Sequence, residues 1–186
     1  MKEFSYSTLN ANVSAHLSEK INEMLKGEMP VIVCVGTDAT IGDSFGPICG
    51  TFLENSVKHA FIYGSLQKTV TAKEISTIKT FISKVHPSAK VLVIDAAVGR
   101  AEDVGSIKIS DAPIKPGLGA NKDLPALGDV SIIAIISEKT KDNYEFLKLT
   151  RLSPVYYLAK TVAEAVAAYI KRTAEKSETV SRRLMA

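Results

Sequence analysis

The chain has 186 residues, which is enough for one domain with a full hydrophobic core. Hydrophobic residues make up 46% of it and charged residues 23%, the balance of an ordinary globular protein. No apolar run approaches the roughly 20 residues that cross a bilayer, and the first residues lack the apolar core of a signal peptide. The expectation is therefore a soluble cytoplasmic protein with no membrane partner.

The net charge of +3 lies in residues 171–186, and the rest of the chain is neutral. A nucleic-acid-binding face normally shows a basic stripe or a known motif, and the sequence has neither. We therefore expect no nucleic-acid partner and interpret 175–186 as a frayed basic tail.

Hydrophobic periodicity predicts an alternation of helices and strands. In chain order the predicted elements are a helix at 10–26, a strand at 31–35, a helix at 45–58, a strand at 60–63, a helix at 71–85, strands at 90–94 and 104–109, a loop at 110–127, a strand at 130–136, a short helix at 142–149 and a helix at 153–174. This order predicts a single α/β domain over 1–186, a three-layer α/β/α sandwich around a mostly parallel sheet, in which 1–28 forms an N-terminal helix.

Two acidic loops each follow a short apolar run. The run at 31–35 leads into GTDATIGDSFGP, which contains Asp38 and Asp43, and the run at 91–94 leads into DAAVGR, which begins at Asp95. In open α/β sheets, ligands bind beyond the carboxyl ends of the strands, where the strand order reverses. The pattern therefore predicts that Asp43 and Asp95 share the rim of one crevice, where paired carboxylates serve acid–base chemistry or hold a metal.

Each of these aspartates also has a purely structural interpretation, which the sequence leaves open. Asp43 stands just before a predicted helix and suits an N-cap. Asp95 stands at a strand end, where a carboxylate commonly accepts backbone N–H groups. Asp38 suits the first position of an Asx turn.

The loop at 110–127 reads SDAPIKPGLGANKDLPAL and is rich in glycine and proline. Loops of this length inside a compact domain are usually functional or disordered. Pro116 and Gly117 mark a turn, and Gly117 and Gly119 allow positive φ, so successive N–H groups would form an anion-binding nest or an oxyanion hole. An ordinary surface loop is the alternative. Lys122 and Arg100 are the basic residues expected to assist at the site.

Histidine and cysteine placement argues against several chemistries. The histidines are His16, His59 and His86, all on or at the ends of predicted helices, and none follows residue 86. A Ser-His-Asp triad or an imidazole-based metal site therefore has little support. Cys34 and Cys49 are expected to be buried thiols. The first loop matches neither nucleotide-binding glycine motif, so we expect no cofactor. We also expect no metal because no later histidine is present, and the sequence leaves open whether the acidic pair binds one.

Three of these motifs resemble those of the germination proteases of spore-forming bacteria. The segments VG at 35–36 and GDSFGP at 42–47 resemble their first conserved loop, IDAA at 94–97 with Arg100 resembles their second acidic loop, and IKPGLG at 114–119 resembles their glycine-rich loop. The chain looks most similar to their smaller YyaC-type sporulation relatives. The resemblance covers about residues 30–137 and, more loosely, the last helix.

This resemblance implies the phosphorylase/hydrolase-like α/β/α fold shared with hydrogenase maturation endopeptidases. It also implies that Asp43 and Asp95 occupy the positions of the proposed catalytic pair of germination proteases, which act on small acid-soluble spore proteins. In hydrogenase maturation proteases the same two positions are metal ligands, joined by a histidine from a later loop that this chain does not have.

The expected function is a sporulation- or germination-associated peptidase acting on small spore proteins or another protein tail. Its expected catalytic residues are Asp43 and Asp95, and its expected substrate-binding residues are Asp38, Arg100, Pro116, Gly117, Gly119 and Lys122. Two hypotheses stay open beside it: a non-catalytic relative that binds a peptide or protein in sporulating cells, and a small-molecule site as in phosphorylases of similar fold. The sequence also leaves homo-oligomerisation open.

Overall fold

The computed structural model describes residues 2–8, 10–115, 125–139 and 150–184, with side chains described as far as residue 179. Its strands are β1 (Glu3–Ser7), β2 (Val31–Cys34), β3 (Phe61–Tyr63), β4 (Val91–Gly99), β5 (Ser106–Ser110) and β6 (Val130–Glu138). Its helices are α1 (Val13–Leu25), α2 (Phe45–Ser56), α3 (Ile75–Val85) and α4 (Leu152–Leu184), with short 3₁₀ turns at Gly42–Ser44 and Ala101–Asp103.

The strands form one mixed sheet in the order β1-β5-β6-β4-β2-β3. The neighbours β3, β2, β4 and β6 are parallel, and β5 and β1 join antiparallel at one edge. From β2 the chain passes through α2 to β3, and from β3 it returns through α3 to β4 on the other side of β2. The strand order therefore reverses between β2 and β4, which is where an open α/β sheet binds its ligands.

Helices cover both faces of this sheet, which confirms the predicted three-layer sandwich. Strand residues alternate between the faces: Ile32 and Cys34 pack with α1, α2 and α4, whereas Val31 and Val33 pack with α3. The face carrying three described helices holds the larger apolar cluster, and the α3 face holds the smaller one. Both faces are buried, so the central strands are continuous apolar runs.

The expectation that a helix is the first element was wrong, because β1 precedes it. Strand β1 pairs antiparallel with β5, in register from Glu3 with Ser110 to Ser7 with Ser106. Four of its five residues are exposed, so no buried face marks it in the sequence. Its backbone pairing with a strand about a hundred residues away creates it, and local periodicity carries no signal of that pairing.

Two elements are longer than their patterns predict. Strand β4 continues to Gly99 because β6 pairs with it that far. Helix α4 continues to Leu184, so the expected frayed tail over 175–184 is helical. No glycine or proline follows Pro154 to stop that helix, and the added segment consists mainly of good helix formers. The predicted helix at 142–149 lies outside the described residues.

Within the described parts of the chain, no helix is both long and apolar enough to pass through a membrane.

Candidate active site at the switch point

Asp95 stands where the pairing of β2 with β4 ends. The last register pair is Cys34 with Ile94, and the last hydrogen bond runs from the Val35 N–H to the Ile94 carbonyl at 2.8 Å. Asp95 follows directly and is only 9% exposed. Its Oδ1 accepts a hydrogen bond from the Ala96 N–H at 2.8 Å, so the expected backbone contact at the strand end exists.

Asp43 reaches the same place from the loop between β2 and α2. The Thr37 N–H donates to the backbone carbonyl of Asp43 at 3.1 Å, which folds the loop back onto the end of β2. The Ser44 hydroxyl donates to the Ile41 carbonyl at 2.6 Å and tightens the 3₁₀ turn that carries Asp43. No side-chain cap hydrogen bond is made at the start of that turn or of α2, so the capping interpretation of Asp43 was wrong.

Two glycines allow the loop and α2 to approach the strand end this closely. A Cβ on Gly36, which has φ +144°, would lie 2.1 Å from the Asp43 carbonyl oxygen. A Cβ on Gly46, in the first turn of α2, would lie 1.9 Å from the Val35 carbonyl oxygen. Since backbone atoms are on both sides of each contact, only glycine fits, and the position of Asp43 depends on both.

The pKa values of the two carboxyl groups are raised to different extents. Burial raises the pKa of Asp43, and a backbone hydrogen bond from Thr37 opposes that shift. Burial raises the pKa of Asp95 much further, the charge of Asp43 raises it again, and the hydrogen bond from Ala96 only partly opposes both. Asp95 therefore retains its proton to higher pH than Asp43. Neighbouring carboxyls separated in this way supply one acid and one base at the same pH.

The structure does not bring two other predicted site residues to this pair. The Arg100 side chain is 73% exposed and pairs with Glu102 at 3.1 Å and Asp103 at 3.2 Å, beyond the end of β4. Asp38 is exposed, and the turn beside it is closed by the Thr37 hydroxyl, which accepts from the Ala39 N–H at 3.2 Å. The Asx-turn interpretation of Asp38 was therefore wrong.

The remaining predicted site residues, Pro116, Gly117, Gly119 and Lys122, lie outside the described residues and stay predictions. The described ends of their loop meet through an antiparallel bridge between Ile114 and Leu127. Both of these residues belong to the apolar cluster of the α3 face. Asp95 belongs to the same face by alternation with Val93, so the loop begins and ends on the side of the sheet that carries the acidic pair.

Sequence reasoning missed the groups that hydrogen-bond to the two carboxyls. They are the backbone of Thr37 and the N–H of Ala96. Backbone donors carry no residue-type signal, so only knowledge of where each strand ends would have pointed to them. Cys34 and Cys49 are buried free thiols, as predicted.

The fold is similar to that of a protein of known structure. It is similar to the crystal structure of the [NiFe] hydrogenase maturation protease HycI from Thermococcus kodakarensis KOD1, with a TM-score of 0.52 over 82% of this chain and 99% of that one. The two sequences are 17% identical, so this likeness shows the fold alone.

The chain belongs to the family described as "Protein of unknown function (DUF1256)", whose model matches residues 4–165. It is 39% identical over 141 residues to "Uncharacterized protein YyaC" of Bacillus subtilis (strain 168), a match that spans 75% of this chain and 69% of that protein. The resemblance to YyaC-type proteins is thereby confirmed.

The donor set here does not fit the metal site implied by the resemblance to maturation proteases. Throughout the described ranges, no three or more histidine, cysteine, aspartate or glutamate side chains are grouped so as to hold a metal ion. His86, which ends α3 ahead of the amino end of β4, hydrogen-bonds through Nε2 to the Tyr63 hydroxyl at 2.8 Å instead.

Proposed function

We propose that this protein is a peptidase in which Asp43 and Asp95 activate a water molecule and protonate the leaving amine. The observation that carries the proposal is the buried carboxyl of Asp95, whose pKa is raised by burial and by Asp43 at the switch point of the sheet. Its substrates would be small spore proteins or the tail of another protein. The likeness of the fold to a maturation protease supports this class of activity.

The chemistry follows from the order in which the two carboxyls titrate. Asp43, the first to ionise, accepts a proton from the water molecule while the water oxygen bonds to the peptide carbonyl carbon. Asp95, still protonated, gives its proton to the amide nitrogen as the carbon–nitrogen bond breaks. The products are a carboxylic acid and an amine, and transfer of the proton from Asp43 to Asp95 restores the starting pair. Backbone N–H groups of the loop at 116–119 are proposed to steady the oxyanion.

The test is incubation of the purified protein with small acid-soluble spore proteins, with fragments read by mass spectrometry. The variants are Asp43→Asn and Asp95→Asn, each expected to lower the cleavage rate by roughly 10²–10⁴-fold, the usual contribution of a general acid or base. Glu54→Gln is the matched control, because Glu54 is an exposed carboxylate on α2. That variant should cleave at the wild-type rate.

Two results would contradict the proposal. One is full activity in either aspartate variant, and the other is absence of cleavage by the folded wild-type protein. Saturable peptide binding without cleavage would instead favour the hypothesis of a non-catalytic binding protein.

We further propose that the site of action is the cytoplasm of the sporulating cell or the spore core, which immunolocalisation during sporulation would test.

A further inference from the structure

Strand β4 continues four residues beyond Asp95, whereas its neighbour β2 has already ended. After Val35 the chain of β2 turns away from β4, because the Gly36 N–H donates to the Val70 carbonyl at 3.0 Å. Among the described residues, the segment of β4 from Ala96 to Gly99 is paired with β6 only. On its β2 side, this part of β4 is therefore a sheet edge with no strand partner in the described parts of the chain, next to the acidic pair.

Backbone groups of β4 face this open side at alternate residues. The Ile94 carbonyl faces β2, where it accepts from Val35, and the Gly99 carbonyl faces β6, where it accepts from Lys139. The alternation places the Ala96 carbonyl and both backbone groups of Val98 on the β2 side. Among the described residues, no strand pairs with them there. The Ala96 N–H points to the same side and is held by the Asp95 carboxylate.

We propose that an extended peptide segment binds as a short additional strand along residues 96–98 of β4, in line with the end of β2. The peptide would pair with the Ala96 carbonyl and with the N–H and carbonyl of Val98. This inference rests on the proposed peptidase function and specifies its substrate class: an unfolded segment or tail, recognised mainly through its backbone. Recognition by strand addition takes its affinity from main-chain hydrogen bonds and its specificity from alternate side chains.

The position of the edge brings such a peptide to the acidic pair. Neighbouring strands lie about 4.8 Å apart, so a strand in line with β2 passes directly beside Asp95. The Asp95 carboxyl lies on that side of β4, since it accepts from the Ala96 N–H. Ala96 and Ala97 are half-buried and small, so neither of these side chains obstructs the edge next to Asp95.

The first test uses a peptide of about ten residues, selected from a random library for binding to the Asp95→Asn variant, which binds without cleaving. Replacing Val98 with proline removes the outward N–H, and Val98→Thr keeps that N–H on a β-branched residue of similar size. Val98→Pro should weaken binding by about ten-fold, the value of one hydrogen bond, and Val98→Thr by less than about two-fold. Equal affinities in the two variants would overturn the proposal.

The second test leaves the protein unchanged and so does not depend on how the proline variant folds. The selected peptide is synthesised with a single N-methyl group at each position in turn. Strand addition predicts a loss of affinity at every second position, because alternate N–H groups face β4. Losses without this alternation, failure of the library to yield any binder, or slow hydrogen exchange of the Val98 amide in the free protein would each overturn the inference.

These readouts separate the two proposals. Alternating binding without cleavage by the wild type would leave the strand-addition inference standing and remove the peptidase function. Cleavage with no alternation would do the reverse.

Discussion

Asp95 is the central residue of the proposed site, and burial of its carboxyl lowers the free energy of unfolding at neutral pH. An acid whose pKa is higher in the folded protein binds its proton more tightly there. Its contribution therefore favours folding at low pH and is lost as the pH rises from the unfolded-state value of about 4 through the folded-state value. At neutral pH the fold carries this penalty, and in the proposed mechanism the same carboxyl is the general acid.

Asp95→Asn should consequently stabilise the protein at pH 7.5. The amide keeps an oxygen for the Ala96 N–H and needs neither a buried charge nor the uptake of a proton, one of which the carboxyl requires at this pH. Since one pKa unit corresponds to about 1.4 kcal/mol, we expect the melting temperature to rise by roughly 2–4 °C or more, and the gain to disappear near pH 4. Thermal melts at the two pH values measure this, with Glu54→Gln as the control. A variant less stable than wild type at pH 7.5 would contradict the assignment of Asp95 as a buried, strained acid.

At the scale of the element, the junction between β2 and α2 decides whether the acidic pair exists at all. Gly46 lets the first turn of α2 lie against the Val35 carbonyl, and Gly36 lets the loop close on Asp43. Alanine at position 46 would improve helix propensity by about 1 kcal/mol. The 1.9 Å overlap with backbone is the larger effect, because neither the helix nor the strand yields without displacing Asp43.

Gly46→Ala should therefore lower the free energy of unfolding by about 3 kcal/mol and abolish cleavage. The matched control is Gly27→Ala. Gly27 has φ +75° and nothing within 4 Å of an added Cβ, so only backbone strain of about 1 kcal/mol is expected there. Urea denaturation of both variants measures the difference. Similar small losses in the two would show that α2 can move away from β2 without consequence.

At the scale of the whole molecule, α4 packs in the larger apolar cluster and then extends beyond it. Tyr169 and Ile170 are fully buried within the larger apolar cluster, and the Tyr169 hydroxyl donates to the Glu28 carbonyl. Thr173 is the last buried side chain described, and residues 175–179 are exposed. Because helices in proteins are stabilised mostly by packing of their apolar face, the final turns contribute little to the fold.

Deleting residues 177–186 should shift the melting temperature by less than about 2 °C and leave the rate of peptide cleavage unchanged. Deleting residues 169–186 should prevent folding, because it removes two fully buried side chains from the core. Circular dichroism melts of the two truncations measure this. A shift of about 5 °C or more in the shorter truncation would show that the basic end of α4 packs on the domain.

The sequence by itself determined the layered architecture, and it singled out the two aspartates that the fold brings to the switch point. Alternation of apolar runs with amphipathic stretches predicts a parallel α/β sandwich, since a helix period and a buried strand each leave a local pattern. The two aspartates stood out because each lies in or beside a loop at the carboxyl end of an apolar run. Spacing alone did not reveal that Arg100 pairs with Glu102 and Asp103, because such ion pairs depend on the folded chain.

Only the tertiary structure decided the strand order, the open edge of β4 and the coupling of the carboxyls. Strand β1 exists because β5 pairs with it, and β4 outlasts β2 because β6 supports it to Gly99. The raised pKa of Asp95 comes from burial and from the charge of Asp43, which reaches it only after the chain has folded back through Gly36. Such features arise from contacts between segments that are distant in the chain. Residue type and local periodicity describe each element separately and therefore do not reveal them.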